Sequence, residues 1–168
     1  DDRADPDGGT ERFPDRFALG EEDGRLIACC GLYTRGTYVE RFGGVNVVCN
    51  NAGVSSYGRQ WETTLADWQW VIDACLWGVI HGIRSFVPRM LDAGDPGHIV
   101  NTASFGGLIG SPNLGPYSAA KHAVVGLMES VRHELARAAP GVRASVVCPG
   151  NIHTPITANS LAAAGVVL

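Results

Sequence analysis

Three short strand-like runs separated by long helical patterns constrain the fold of this chain more than any other feature. The runs cover residues 45–49, 98–104 and 142–148. The first is a β-branched apolar run of the type found in buried strands, and the second and third end at Ser104 and at a Pro-Gly turn. Strands that alternate with long helices predict an α/β fold, with a parallel sheet and helices on both of its faces.

Two long helices are predicted between these strands. The first covers residues 65–91, where apolar residues recur at helical spacing after Thr64 and Asp67, a pair with the spacing of a capping box. Pro88 is expected to kink or end the last turn of this helix. The second long helix covers residues 117–138, and a further short helix is expected in the C-terminal tail.

The N-terminal part of the chain has a different character. Residues 1–37 are rich in Asp, Gly, Arg and Pro without a clear period, and we expect one short strand there at residues 26–30. The last turns of a helix are predicted at residues 38–42, ended by two glycines. We therefore separate an irregular or non-homologous segment, residues 1–37, from a single domain over residues 38–168.

Tyr117 and Lys121 stand one helical turn apart, so they project from the same face of the second long helix. A nearby ammonium favours the phenolate, and we expect Lys121 to lower the pKa of Tyr117 so that the phenol can carry a proton. Ser104, at the end of the preceding strand, is placed to hold a substrate oxygen against this phenol. A solvated lysine on an amphipathic helix gives the same spacing, so the pair alone is a weak signal.

Two further motifs strengthen this interpretation. Asn-Asn-Ala-Gly stands at residues 50–53 after the first strand, and Pro-Gly stands at residues 149–150 after the third. In this order, with Ser104 and the Tyr-x-x-x-Lys pair, they resemble the short-chain dehydrogenase/reductase family over roughly residues 38–157. The resemblance implies a Rossmann-like fold. It also implies an NAD(P)-dependent oxidoreductase that transfers hydride between a nicotinamide cofactor and a secondary alcohol or ketone.

The resemblance also implies roles for individual residues. Tyr117 is expected to be the acid/base, and Lys121 to lower its pKa and bind the nicotinamide ribose. Ser104 is expected to orient the substrate oxygen. The cofactor, NAD or NADP, is expected to contact Asn50, Ala52, Gly53, Tyr117, Lys121, Pro149, Gly150, Ile152 and Thr154.

The sequence departs from the family pattern in two places. Many members carry an asparagine in the first long helix, where it supports a water chain to the lysine, and Cys75 stands at the matching position. Because a thiol is a weak donor and acceptor, we expect slower proton exchange here. The family's glycine-rich pyrophosphate turn, Thr-Gly-x-x-x-Gly-x-Gly, has no match, and we expect a Rossmann-like fold that lacks its first strands and its last strand.

Composition excludes several classes of protein. A net charge of −4 without a basic cluster argues against a nucleic-acid surface. The sequence shows no run of 18 apolar residues and no signal peptide, so no membrane span is predicted. The five cysteines form no metal-ligand spacing, so we expect no metal site and a reduced, cytoplasmic setting. Cys49 and Cys148 are expected to be buried in strands as small apolar residues.

Two alternatives and two expectations about association remain. The chain is either an oxidoreductase or a non-catalytic remnant or binding module of the same fold that no longer binds cofactor. A hydrolase that uses Ser104 is disfavoured, because no Gly-x-Ser-x-Gly elbow is present.

The broad apolar faces of the two long helices suggest a homo-oligomer. The strand at residues 45–49, without its usual neighbour, is expected to have an open edge that promotes association.

Overall fold

The structure is a computed structural model that describes residues 19–22, 25–29, 45–154 and 156–163. Two strands, β1 (Leu19–Glu22) and β2 (Arg25–Cys29), form an antiparallel hairpin. Three more strands form a separate parallel sheet in the order β3-β4-β5. These strands are β3 (Val47–Asn50), β4 (Gly97–Thr102) and β5 (Val142–Val147). The predicted α/β class with an incomplete parallel sheet is confirmed.

The hairpin lies in the segment for which the sequence predicted a single strand. Strand β2 matches the predicted strand at residues 26–30, whereas its partner β1 was not predicted. The predicted helix end at residues 38–42 lies outside the described residues. Strand β2 lies near β3, yet the hydrogen-bonded ladder of β3 runs only to β4 among the described strands.

The first long helix is interrupted in its middle. It consists of α1 (Leu65–Ile72), a π-helical segment (Asp73–Trp77) and α2 (Gly78–Ala93). The predicted capping box is confirmed: the Asp67 backbone N–H donates to the Thr64 hydroxyl at 3.1 Å, and the Thr64 N–H donates to the Asp67 carboxylate at 3.3 Å. In a π-helical turn one residue is added to the helix, and such turns often occur at functional sites.

The first long helix was predicted to end near residue 91, with Pro88 kinking or ending its last turn, and it ends two residues later than predicted. Helix α2 continues past Pro88 to Ala93 and ends at Gly94, which adopts the left-handed conformation with φ of 70°. Pro88 is on the exposed side of the helix, where the carbonyl left without a partner meets solvent. Glycine is the residue that adopts this C-terminal geometry without strain.

The two remaining helices complete the described fold. Helix α3 (Gly115–Ala138) begins two residues earlier than predicted, with Pro116 in its first turn. Helix α4 (Ile156–Ala163) is the expected short helix of the tail. One apolar core lies between the sheet and helices α2 and α3, and it contains Val48, Val79, Met90, Ile99, Val124, Met128, Val131, Leu135, Val142 and Ala144.

Burial alternates along the strands of the sheet. Val48 is buried whereas Val47 is 63% exposed, and in β5 Val142 and Ala144 are buried whereas Val147 is exposed. Both crossovers step in the same direction across the sheet, so right-handed connections place α2 and α3 on one face. Within the described residues, helices therefore cover one face.

The buried positions predicted for two cysteines need correction. Cys49 is exposed and Cys148 is half-buried, although both were expected to be buried in strands. The prediction assumed that helices cover both faces of the sheet. Cys49 instead lies on an edge strand of the described sheet, on the face opposite the core.

Two asparagines and a glycine join the sheet to the helices, and we call Asn50, Asn101 and Gly82 the amide cluster. Nδ2 of Asn50 donates to Oδ1 of Asn101 at 2.6 Å, and the fully buried Asn101 donates to Sδ of Met128. A methyl group added at Gly82 would overlap the Asn50 amide, with 2.7 Å between the added carbon and Asn50 Cγ. Helix α2 thus packs directly against a paired amide at the end of β3.

The helical unit from Leu65 to Ala93 is long and apolar enough to cross a membrane by length and composition alone. Core helices of globular domains can have the same length and composition. Here Val71, Cys75, Val79 and Met90 are buried within the fold. The apolar character of this unit is therefore accounted for, in part, by packing against the sheet and α3.

Candidate active site

Ser104 stands two residues after β4 and begins a short 3-10 turn, Phe105–Gly107. Its backbone is extended, and its hydroxyl oxygen accepts a hydrogen bond from the Gly106 N–H at 3.1 Å. The backbone N–H of Phe105 donates to the Pro149 carbonyl at 2.7 Å, which joins the ends of β4 and β5. These bonds fix the serine oxygen and leave its O–H proton available as a donor.

Tyr117 lies in the first turn of α3 and faces Ser104. A side-chain hydrogen bond with Ser104 acts to lower the pKa of Tyr117. The ring packs against Gly106, where an added methyl group would lie 3.3 Å from Cε1 of Tyr117. The two predicted catalytic hydroxyls are therefore brought together at the carboxyl end of the sheet.

Lys121 is almost fully buried, with a relative exposure of 2%. Its Nζ donates to the Thr102 carbonyl at 2.8 Å and lies 5.6 Å from the centre of the Tyr117 ring. Gly107 allows α3 to approach the loop, since a methyl group there would lie 2.7 Å from the Lys121 carbonyl oxygen. Ser104, Tyr117 and Lys121 thus share one region, as the sequence predicted.

The expected electrostatic effect on Tyr117 was wrong in direction. Burial raises the pKa of Tyr117 above its ordinary value, and the charges of Cys75 and Tyr57 add to the rise. Burial also lowers the pKa of Lys121, against smaller opposing effects of the thiols of Cys75 and Cys148. For Lys121, the free-energy cost of removing the charged amine from water exceeds the stabilisation that its neighbours give to the charge. The reason is that its hydrogen-bond partner is a neutral carbonyl rather than a carboxylate.

Cys75 occupies the centre of the π-helical segment and is fully buried. Its thiol donates to the Val54 carbonyl at 3.1 Å and accepts from the Val54 N–H at 3.3 Å. Burial raises the pKa of Cys75, while Lys121 and the Val54 hydrogen bond act to lower it. The cysteine is therefore adjacent to the lysine and directly bonded to the loop after β3.

Among the predicted cofactor residues, those after β3 take two different positions. Asn50 belongs to the amide cluster, where its side chain pairs with Asn101 and lies against Gly82 of α2. Ala52 is exposed, and Gly53 is half-buried. A methyl group added at Gly53 would lie 3.5 Å from Nζ of Lys121 and 3.7 Å from Sγ of Cys75. Gly53 therefore lies beside Lys121 and Cys75, whereas the Asn50 side chain pairs with Asn101.

The predicted cofactor residues after β5 lie in the loop that leads to α4. Pro149 is half-buried and bonded to Phe105, while Gly150, Ile152 and Thr154 are exposed. Cys148, the residue before this loop, is close enough to Lys121 to affect its pKa. The loop thus starts beside the lysine and continues along the exposed side of the site.

Three groups that surround the candidate site were not predicted from the sequence. Tyr57 lies close enough to Tyr117 to affect its pKa, and the Thr102 backbone carbonyl binds the lysine. The Ser160 hydroxyl accepts from the Ser55 N–H at 3.0 Å, which attaches α4 to the loop after β3. Backbone carbonyls and serines carry no sequence signal of this kind. The Gly106–Gly107 pair was visible and marks the close approach of α3.

The arrangement brings together a serine O–H, a phenol and a buried amine. The phenol is protonated at neutral pH, since its pKa is raised. A protonated phenol beside a second hydroxyl donor is suited to binding a carbonyl oxygen and giving it a proton. The reverse transfer would start from an alcohol at the same position.

Comparison with known proteins identifies the group to which this site belongs. Residues 34–164 match the short chain dehydrogenase family. A protein named as an oxidoreductase, SadH of Mycobacterium tuberculosis (strain ATCC 25618 / H37Rv), is 40% identical over 157 residues, which cover 94% of this chain and 54% of SadH. The C alpha-dehydrogenase of Sphingobium sp. (strain NBRC 103272 / SYK-6) is 48% identical over 110 residues, 66% of this chain and 35% of that protein.

A solved structure gives the same result for the fold. The crystal structure of a short chain dehydrogenase/reductase from Burkholderia phymatum, in complex with NAD, has a TM-score of 0.71 and 44% identity. The match covers 73% of this chain and 43% of that one. The chain spans about a third to a half of the length of these relatives. The predicted Rossmann-like class is confirmed, and the chain belongs to the short-chain dehydrogenase/reductase family of oxidoreductases.

Proposed function

We propose that this chain carries the catalytic part of an NAD(P)-dependent oxidoreductase that interconverts a small secondary alcohol and its ketone. The observation that carries the proposal is the meeting of Ser104, Tyr117 and Lys121 at the carboxyl end of β4. In parallel α/β sheets, ligands bind at this end of the strands. The names of the relatives, dehydrogenases and an oxidoreductase, support the same reaction class.

The residues present fit the nicotinamide half of such a cofactor. Lys121 has three N–H donors and gives one to Thr102 among the described residues, so donors remain for a ribose hydroxyl. The loops after β3 and β5 both open beside it, with Ala52, Gly150 and Thr154 exposed. A bound nicotinamide dinucleotide would supply or accept the hydride.

Tyr117 and Ser104 would handle the proton and the substrate oxygen. In ketone reduction, the Ser104 O–H donates a hydrogen bond to the carbonyl oxygen, since its own oxygen already accepts from Gly106. Tyr117 then gives its phenolic proton to the same oxygen, and its raised pKa keeps that proton in place beforehand. In alcohol oxidation, Tyr117 takes the proton back as a phenolate.

A second candidate function is a non-catalytic remnant or binding module. It is favoured by one observation: no part of the 168 residues matches the glycine-rich pyrophosphate turn. Titration of the protein with NADH and with NADPH, followed by nicotinamide fluorescence, separates the two. Saturable binding supports the oxidoreductase and also distinguishes NAD from NADP. No binding at millimolar cofactor supports the remnant.

The substitution Tyr117→Phe tests the catalytic role. With NAD(P)⁺ and a panel of secondary alcohols such as cyclohexanol and 1-phenylethanol, we expect turnover to fall roughly 10²- to 10⁴-fold. Circular dichroism and cofactor affinity should not change, because the ring and its contact with Gly106 are kept. Tyr57→Phe is the matched control and should retain most activity. A Tyr117→Phe variant that keeps more than a tenth of the rate would contradict the role.

We also propose a cytoplasmic setting and a homo-oligomer formed through the two long helices. The described cysteines, Cys49, Cys75 and Cys148, are all free thiols, which fits a reducing compartment. Exposed apolar side chains on the first long helix, Leu65, Trp77 and Leu91, support an interface there. Analytical ultracentrifugation tests the oligomer.

A further inference from the structure

The thiol of Cys75 forms an unusual connection between a helix and a loop. It donates to the Val54 carbonyl at 3.1 Å and accepts from the Val54 N–H at 3.3 Å. One side chain thus satisfies both backbone groups of a loop residue that is distant in sequence. Among the described backbone–backbone hydrogen bonds, none is made by Val54, so the thiol is its partner.

The loop held in this way lies against Lys121. Gly53 directly precedes Val54, and a methyl group added there would contact both Nζ of Lys121 and Sγ of Cys75, at 3.5 and 3.7 Å. On its other side, the amine donates to the Thr102 carbonyl at 2.8 Å. Lys121 is therefore enclosed between the end of β4 and a loop whose position depends on Cys75.

The groups that face the amine are few and come from three elements. They are Cys75 from the π-helical segment, Cys148 at the end of β5 and Tyr117 from α3 itself. Because none of these described neighbours is a carboxylate, enclosure rather than charge pairing dominates the state of the amine. Any contact that holds the Gly53–Val54 loop against Lys121 therefore controls the access of water to the amine.

We propose that Cys75 is a positioning residue for Lys121: its thiol fixes the Val54 backbone and so holds Gly53 over the amine, which closes the site to water. The relevance to catalysis rests on the proposed function, since it requires that Lys121 takes part in the reaction. Cys75 lies in the π-helical turn, and we include this turn in the proposal as the element that places the thiol beside Val54. The closure itself is a property of the protein without cofactor.

The sequence offers a direct way to test this closure. Lys121 is the only lysine in the 168 residues, so protein labelled with [¹⁵N]lysine gives one Nζ signal whose pH titration reports this amine. We compare Cys75→Ala, which removes the connection, with Cys75→Ser, which keeps a donor and an acceptor. Both variants lose the influence of the Cys75 thiol on the pKa of Lys121, so the difference between them isolates the hydrogen-bonded connection.

In Cys75→Ala, water should reach the amine, and the pKa of Lys121 should rise towards its ordinary value. In Cys75→Ser it should stay lowered, as in the wild type. The Val54 amide should exchange with solvent at least tenfold faster in Cys75→Ala than in Cys75→Ser. Cys49→Ala, at an exposed cysteine, should change neither measurement. Identical Lys121 titration and Val54 exchange in the two Cys75 variants would overturn the proposal.

The wild-type protein provides an independent test if Cys75→Ala fails to fold. Its Val54 amide must be protected from exchange despite lying in a loop, because the thiol is the acceptor. Rapid exchange of this amide in the folded wild type would overturn the proposal. Neither measurement needs cofactor or turnover, so an absence of NADH binding would contradict the proposed function and leave the positioning role of Cys75 intact.

Discussion

Two buried polar clusters lie at the ends of the same strands and differ in what they do for the protein. The amide cluster, Asn50, Asn101 and Gly82, joins β3 and β4 beneath α2. The second, which we call the lysine cluster, contains Cys75, Tyr117 and Lys121 and lies between the loop after β3 and the end of β4. Both place polar atoms where apolar side chains surround them.

The amide cluster is neutral and internally paired. Asn101 is fully buried, accepts from Asn50 at 2.6 Å and donates to Met128. A buried amide that is hydrogen-bonded avoids the cost of desolvation, and the pairing fixes the alignment of β3, β4 and α2.

The lysine cluster contains three ionisable groups, and burial moves each of them towards its neutral form. It raises the pKa of Cys75 and of Tyr117 and lowers the pKa of Lys121. Burying the charged Lys121 amine lowers the free energy of unfolding. Ionisable groups with pKa values shifted by burial are common at sites of proton transfer. The amide cluster thus pairs its buried polar atoms within the fold, whereas the lysine cluster carries the desolvation cost that the proposed proton transfer would require.

The largest expected effect is the loss of stability in Gly82→Ala. The added methyl group would overlap the Asn50 amide, which Asn101 holds in place. We expect the free energy of unfolding to fall by roughly 3 kcal/mol, measured by urea denaturation. Gly126→Ala is the matched control in α3, where an added methyl meets nothing within 4 Å, and it should gain up to about 1 kcal/mol. Equal stabilities of the two variants would contradict the role of the amide cluster.

Truncation of the buried amide should have the next largest effect. Asn101→Ala leaves the partly buried Asn50 amide without its acceptor and removes the fully buried Asn101 amide from its hydrogen bonds, which together cost about 2 kcal/mol. Asn46→Ala removes an exposed amide that donates to the Pro96 carbonyl at 3.1 Å, and it should cost under roughly 0.5 kcal/mol. If the two substitutions cost the same, the buried pair does not stabilise the fold in the way described.

The sequence predicted the strands, the long helices and the meeting of Ser104, Tyr117 and Lys121, because apolar periodicity and strand ends determine them. It did not predict the raised pKa of Tyr117, because burial depends on contacts such as the packing of Gly106 on the ring. The burial of Lys121 was not predicted either, because a lysine on a helix is usually exposed to solvent.

The two clusters also differ in how well their residues were interpreted. Asn50 was predicted to contact the cofactor, which stays a prediction, and the structure adds a pairing of its side chain with Asn101, a residue that no motif singled out. Cys75 was expected to be a weak substitute for an asparagine. The structure gives it two hydrogen bonds to Val54 instead, a partner that only the fold brings near.

The substitution Lys121→Met should increase stability, in contrast to every change in the amide cluster. It removes a charge that burial disfavours and retains an unbranched chain of similar length. The Thr102 carbonyl loses a donor, which offsets part of the gain. We expect a net rise of about 1 kcal/mol in the free energy of unfolding at pH 7, with loss of any oxidoreductase activity. A loss of stability would show that the buried amine is stabilising and would remove the contrast between the clusters.

The smallest expected effect concerns the alkaline pH dependence of stability. Because burial raises the pKa of Tyr117, the folded protein keeps the phenolic proton to higher pH than the unfolded chain, whose tyrosines titrate near pH 10. This stability contribution is complete below about pH 10 and is lost as the pH rises towards the raised pKa. Wild type should therefore lose more stability than Tyr117→Phe between roughly pH 9 and pH 11 in urea denaturation.

The lysine acts in the opposite direction in this experiment. The lowered pKa of Lys121 makes the folded protein release a proton before the unfolded chain does, so its contribution rises with pH up to the ordinary lysine value. It is present in both wild type and Tyr117→Phe and, to a first approximation, cancels in their difference. A difference that grows with pH would therefore belong to the phenol. Parallel pH profiles would show that Tyr117 is as accessible to water in the folded protein as in the unfolded chain, and the lysine cluster would then lose the buried character that separates it from an ordinary surface.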